Sequence, residues 1–142
     1  MSGSATDALG VEILGHTLGI TAMPLPPAPW VGLCLAAIPP TNATGGGELG
    51  AGGGYARVQA VFALDAGGAP IADNQATVTF PAASADWGSI GFFELWDAAT
   101  GGNRNFWGGL IDPTTGLATT RTILSGDQAR FSPGTLVITV NR

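Results

Sequence analysis

Carboxylates placed close enough to share a reaction are the first residues to weigh, because paired acids perform general acid–base work such as glycoside hydrolysis. Glu94 can be paired with Asp97 or with Asp86. Glu94 and Asp97 differ by an odd number of positions and so face opposite sides of a strand, while Asp86 and Glu94 share parity but not the same strand. Asp97 is better suited to opening a turn, and Asp86 precedes Trp87-Gly88 in a turn-prone segment. His16 is the sole histidine and has no acid or cysteine next to it. Cys34 stands alone, which excludes an intramolecular disulfide and a cysteine-based zinc site, and its apolar setting reads as a buried small hydrophobe. Gly45 to Gly50 fits G-x-G-x-x-G, yet that fingerprint needs a strand before it and a helix after it; here Pro39-Pro40 precede and a strand follows. Asp112 to Gly116, or Asp97 with Asn103, lacks the alternating acids of a dedicated calcium loop. No catalytic residue, metal ligand or cofactor is expected.

The elements that would position these side chains are mostly strands. Ile90–Asp97 and Asn105–Leu110 are rich in Phe, Leu and Trp around a Thr-Gly-Gly-Asn turn, which predicts a hairpin. Phe93 and Leu95 fall on one face of it, and Phe92, Glu94 and Trp96 on the other, so both faces need cover. Trp30–Ala36 reads as a buried strand. In Tyr55–Leu64 the alternate set Ala56, Val58, Ala60, Phe62 and Leu64 is apolar, opposed by Arg57 and Gln59. Gln75–Phe80 and Thr135–Val140 repeat that alternation. Arg121–Leu124 and Gln128–Phe131 flank Ser125-Gly126-Asp127 as two short strands about a tight turn. Pro39–Gly54 is too glycine-rich to pack and is expected to lie exposed.

Thr6–Leu18 is the one convincing helix, with Leu9, Ile13 and Leu14 near one face, Leu18 extending it, and Ser4, Thr6 or Asp7 as cap. The proline-rich stretch Met23–Pro29 must be extended, since proline fixes φ and restrains its predecessor. Together these predict an all-β fold: an antiparallel, jelly-roll-like β-sandwich of seven or eight strands with a short N-terminal helix. Residues 1–29 form the helix and strap, and residues 30–142 the sandwich.

Composition narrows the function. The chain has 142 residues, 45% hydrophobic and only 11% charged, with a mean hydropathy of +0.31. That is apolar for a soluble monomer, so part of the surface is expected to meet other subunits in a homo-oligomer. A net charge of −5, with arginine as the only basic residue besides His16, gives a nucleic-acid backbone no basic track. Prolines interrupt the charge-free region between Glu12 and Glu48, which excludes a membrane-spanning helix there, and the N-terminus does not resemble a secretory signal. The protein is expected to be made in the cytoplasm. Leu9, Ile13, Leu14, Trp30, Trp96 and Trp107 are the candidate interface residues, and a host-surface glycan is the alternative ligand, stacked on exposed tryptophans such as Trp87, Trp96 or Trp107.

Three segments carry a resemblance: Gly52-Gly53-Gly54-Tyr55-Ala56-Arg57, the F-P-A-x-x-x-D-W-G block at Phe80–Gly88, and Asp97-Ala98-Ala99-Thr100-Gly101-Gly102-Asn103. With PAPWVGLCLA before them and SGDQARFSPGTLVITV after, the chain from about Ala8 to Val140 resembles the small tail-fibre-like or minor tail proteins of tailed bacteriophages. The resemblance implies a virion structural protein of β-sandwich type, without enzymatic activity, bound to other virion proteins. Its place would be the tail, neck or fibre-attachment region or the capsid surface. Glu94 and Trp96 depart from the smaller or less polar residues expected at those positions.

Overall fold

In the computed structural model residues 2–23 and 27–140 are described, so Pro24, Leu25 and Pro26 of the expected strap lie outside the described residues. In chain order the elements are β1 (Ser2–Ala5), α1 (Asp7–Thr17), β2 (Trp30–Leu35), β3 (Val58–Gln59), β4 (Phe62–Leu64) and β5 (Ile71–Asn74). There follow β6 (Val78–Thr79), β7 (Gly88–Trp96), β8 (Arg104–Gly109), β9 (Arg121–Ile123), β10 (Arg130–Phe131) and β11 (Val137–Thr139). The expected all-β, sandwich-like fold with a short N-terminal helix is present, built from more and shorter strands than the alternation suggested.

β7 organises the sheet. It pairs antiparallel with β2 along one side, and with β8 and β9 along the other. The path runs β3-β2-β7-β8-β1-β11-β5-β4, and β10 with β6 forms a separate two-stranded ribbon. The bend lies at β1: Ser4 and Ala5 pair antiparallel with β8, while Ser2 and Gly3 pair parallel with β11. A strand that changes partner along its length is how one sheet folds back on itself to enclose a core. That core holds Val31, Leu33, Ile90, Phe93 and Leu95 from β2 and β7, facing Val78, Phe80, Leu136 and Ile138. Asn74, buried, ties the back of the fold together: its amide donates to the carbonyls of Ala76 and Ser132, and its Oδ1 accepts from the Leu136 N–H.

Burial along β7 departs from strict alternation because of a bulge. Cys34 faces Phe92 and Leu35 faces Ile90, so Gly91 is the extra residue, and Ile90 turns to the same face as Phe93. A Cβ on Gly91 would sit 2.9 Å from the Ala36 backbone, so this position requires glycine. The predicted hairpin of β7 and β8 is present, and its turn depends on glycine too. Gly102 has φ of 74°, and a Cβ there would lie 2.3 Å from the Asp97 carboxylate that accepts the Asn103 N–H.

Four expectations need correction. Tyr55–Leu64 is not one strand: β3 joins β2 while β4 joins β5, so Ala56 and Leu64 are exposed. The alternation continued across a change of sheet partner, where a single buried face no longer exists. Of Gln75–Phe80 only Val78–Thr79 is strand, with Ala76 exposed. Around Ser125-Gly126-Asp127 the turn forms, since the Asp127 N–H donates to the Leu124 carbonyl, but its arms do not pair with each other. β9 joins β7, and β10 joins β6, which lets Ile123 and Phe131 pack against the core. Strands β1 and β5 carried no alternation by which to be foreseen. The fourth correction concerns the glycine-rich loop and is taken up with the site below.

Phe93 is fully buried at the centre of β7, in an edge-to-face arrangement with Phe131 at 6.4 Å. Phe93→Ala is expected to lower unfolding stability by about 3–5 kcal/mol, the usual range for a deleted core aromatic; denaturant unfolding with an unchanged slope checks it.

Candidate functional site

The glycine-rich loop 39–54 is largely exposed, as expected, but it also packs, which was not expected: its stretch 46–49 lies half-buried against β2 and β7. Its peptide groups complete the edge of β2 that β3 leaves open. The Leu35 N–H donates to the Gly47 carbonyl and the Leu49 N–H to the Leu33 carbonyl, with Cys34 bridged to Glu48. Glycine makes this possible rather than preventing it, because a backbone without side chains can lie flat on a sheet face. Gly32 on β2 does the same from below: a Cβ there would meet Glu48 Oε1 at 2.8 Å.

Two carboxylate–guanidinium pairs hold the loop. Glu94, on the outer face of β7, is fully buried; its Oε1 accepts from Arg104 Nη1 at 3.2 Å and from the Gly46 N–H at 3.1 Å. Arg104 also donates through Nη2 to the carbonyls of Thr44, at 2.8 Å, and Thr41. Strand and loop are thereby joined through one buried ion pair, whose desolvation is offset only because nearly every polar atom is met. Glu94 Oε2 has no hydrogen-bond partner. The second pair is bidentate: Arg57 Nε and Nη2 donate to the two oxygens of Glu48, each at 2.7 Å.

From there the contacts spread. Arg57 Nη1 donates to the carbonyls of Ala98 and Gly101 in the β7–β8 turn, and the guanidinium lies 3.8 Å from the centre of the Trp96 ring. The Tyr55 hydroxyl donates to Glu48 Oε1 and accepts from the Leu33 N–H, while its ring meets Trp87 edge-on at 5.6 Å. Trp87 Nε1 donates to the Gly53 carbonyl at 2.7 Å. The three sequence segments that carried the resemblance therefore converge: Gly52–Arg57 grips Trp87 of the second and Ala98 and Gly101 of the third. Their spacing encodes a joint between loop, turn and core.

The residues considered for chemistry are distributed accordingly. Asp86 accepts from the Ser125 N–H, and Asp97 holds Asn103 within its turn. Neither shares a site with Glu94. His16 accepts the Met23 N–H through Nδ1. The Asp112 carboxylate accepts from the Thr114 and Thr115 N–H groups, which lower its pKa. Among the described residues no cluster of three His, Cys, Asp or Glu side chains is placed to hold a metal ion. What the polar groups do is fasten segments together. Arg57 and Arg104 escaped the sequence reading as functional residues, because their partners Glu48 and Glu94 lie nine and ten positions away and are reached only through the folded loop and hairpin.

Of the candidate interface residues, Leu9 is only 5% exposed, packed beneath α1, which leaves little of it for a partner. Ile13 and Leu14 are exposed on the same helix, and Leu14 and Leu18 lie away from the Leu9 face they were expected to share, because five and nine residues at about 100° each carry them to the other side. Trp30 and Trp96 are half-buried and stand opposite each other on β2 and β7. Trp107 is half-buried, with Nε1 donating to Asn42 Oδ1 at 2.8 Å. Trp87 is buried. An apolar groove of about 400 Å³ opens between Phe62, Leu64, Pro70, Phe106 and Val140.

Arg104→Leu is expected to cost about 3–5 kcal/mol, because Glu94 is left charged and unpaired in the interior. Replacing both partners, Glu94→Leu with Arg104→Leu, should recover much of the loss in denaturant unfolding. Burial pushes the Cys34 thiol and the Tyr55 hydroxyl up, and the nearby carboxylates of Glu94 and Glu48 add to this. The native state thus keeps protons that the unfolded chain releases. Stability from these groups is complete below the ordinary thiol value of 9.0 and falls as pH rises past it. Thermal melting is expected to fall progressively as pH rises past 9.0, and Cys34 should react with a thiol reagent only on unfolding.

No curated protein matches the chain. A family model does, that of Gp80, the Podophage GP4 fiber I protein gp80, over residues 4–139. That span takes in α1, the loop joint and every strand from β2 to β11, and the chain belongs to this family of phage fibre proteins.

Proposed function

We propose that the chain is a non-enzymatic structural subunit of a phage virion, made in the host cytoplasm. It docks with other virion proteins in the tail, neck or fibre-attachment region. The observation that supports this most is that the family match covers the whole scaffold, including the joint at Glu48, Arg57, Glu94 and Arg104. Glu48, Glu94, Arg57 and Arg104 are engaged in holding the loop against the sheet. Such a rigid body, with short strands and apolar residues left on its surface, suits a part that is repeated in an assembly.

Binding of a host glycan would call for open indole faces. Trp87 is buried, and Arg57 covers one face of the half-buried Trp96, which favours an architectural role over a sugar platform. Decoration of the capsid surface differs from tail or neck attachment in copy number.

Quantitative mass spectrometry of purified particles is expected to find the chain at a few to about a dozen copies, as a symmetric tail or neck ring requires. Hundreds of copies would move it to the capsid surface. Absence from mature particles would remove the virion reading altogether.

A further inference from the structure

The turn at Ser125-Gly126-Asp127 sends its two arms to different partners, and a cleft lies between them. β9 pairs only with β7, and β10 only with β6. Beyond those two ladders no backbone hydrogen bond among the described residues involves Arg121, Thr122, Arg130 or Phe131. The open edges border a gap lined by Arg121, Thr122 and Ile123 on one side and by Ala129, Arg130 and Phe131 on the other. Its floor is the buried core at Leu33, Ile90 and Leu110, and its volume is about 370 Å³. Unpaired strand edges over an apolar floor are the setting into which an extended polypeptide adds as a further strand.

The same cleft gathers positive charge. Arg57 and Arg104 are engaged in the loop joint, whereas Arg121 and Arg130 are exposed and make no ion pair among the described residues. Both also line the adjoining cleft of about 530 Å³, beside Thr119, Ser132 and Thr135. No carboxylate lines either cleft among the described residues. The flanking acids have partners of their own: Asp112 accepts from the Thr114 and Thr115 N–H groups, Asp127 from the Leu124 N–H, and Asp73 from Gln75 Nε2. The net charge of −5 belongs to the whole chain, and at physiological salt exposed acids farther than about 8 Å are largely screened, so the two guanidiniums dominate the cleft.

We infer that the cleft between β9 and β10 receives an extended segment of a neighbouring virion protein, added as a strand, with apolar side chains on the floor and acidic side chains meeting Arg121 and Arg130. The inference rests on reading the chain as an assembly subunit and gives that subunit a docking site. Side chains of a strand alternate between its faces, so one segment presents both kinds at once. The guanidinium fork matches a carboxylate with two parallel hydrogen bonds. A sugar acid or free phosphate would answer the arginines but leave the strand edges unpaired.

Fluorescence anisotropy of the purified full chain with a labelled peptide of roughly eight residues, alternating Val and Glu, tests this apart from any particle. Saturable binding is expected with a Kd of about 10–100 µM, weakening as salt is raised. Arg121→Gln combined with Arg130→Gln should weaken it at least about tenfold, with circular dichroism unchanged because both side chains are exposed. The same peptide with Lys in place of Glu should not bind, a control that leaves the protein unaltered. Methylation of alternate backbone nitrogens should also cost at least about tenfold, which a purely ionic contact would not show. Absence of binding at about 1 mM peptide overturns the inference, as does binding indifferent to both arginines or to the methylation. Tighter binding of an oligogalacturonate than of the peptide also overturns it, since the cleft would then be a glycan site. Particle counts do not enter these outcomes, so the virion reading stands or falls separately.

Discussion

The buried pair of Glu94 and Arg104 is the constraint on which the rest of the molecule depends. A carboxylate in the middle of the longest strand, fully removed from water, demands a cation and further donors, and each of those brings a segment with it. Arg104 brings the start of β8, the Gly46 N–H brings the loop, and the Thr41 and Thr44 carbonyls fix the loop's path. The outer face of β7 would otherwise need an apolar cover of its own. The ion pair instead specifies which segment covers it and in what register.

The second pair extends the same logic toward the core. Glu48 and Arg57 sit on either side of the 3₁₀ turn Gly52–Gly54, so their contact closes the loop on itself while Tyr55 anchors it beneath. Because Arg57 also reaches the β7–β8 turn and Trp96, a change at one of these points is felt at the others. This accounts for three short segments, distant in sequence, carrying the family's likeness without carrying chemistry. They are the parts of one mechanical joint, built on the ion pairs Glu94–Arg104 and Glu48–Arg57.

The apolar excess in the composition has two destinations. One is the core between the folded-back halves of the sheet, centred on Phe93, Phe80 and Leu136. The other is the surface, at α1 and around the groove beside Leu64 and Val140. A helix capped by Thr6, tied at its start to Asn42 and Arg104, and burying Leu9 is presented by its domain rather than absorbed into it. That is the form expected of a contact element in a repeating assembly.

Local pattern, by itself, determined the β7–β8 hairpin, the strand at Trp30, the helix with its cap narrowed to Ser4, Thr6 or Asp7, and the alternation of Thr77 and Thr79 against Val78 and Phe80. Each depends on neighbours within a few residues, through the twofold strand repeat, the helical repeat and turn chemistry. Tertiary structure decided the partners: which sheet β4 joins, that β9 and β10 part company, that β1 pairs on both sides, and that the glycine-rich loop packs. Those outcomes are set by burial and by hydrogen bonds between residues tens of positions apart, as in Gly46 with Glu94 or Thr6 with Arg104, and no local periodicity records them. Glu94 shows the division most plainly, since strand parity assigned its face while only the folded chain supplied Arg104 to make that face tolerable.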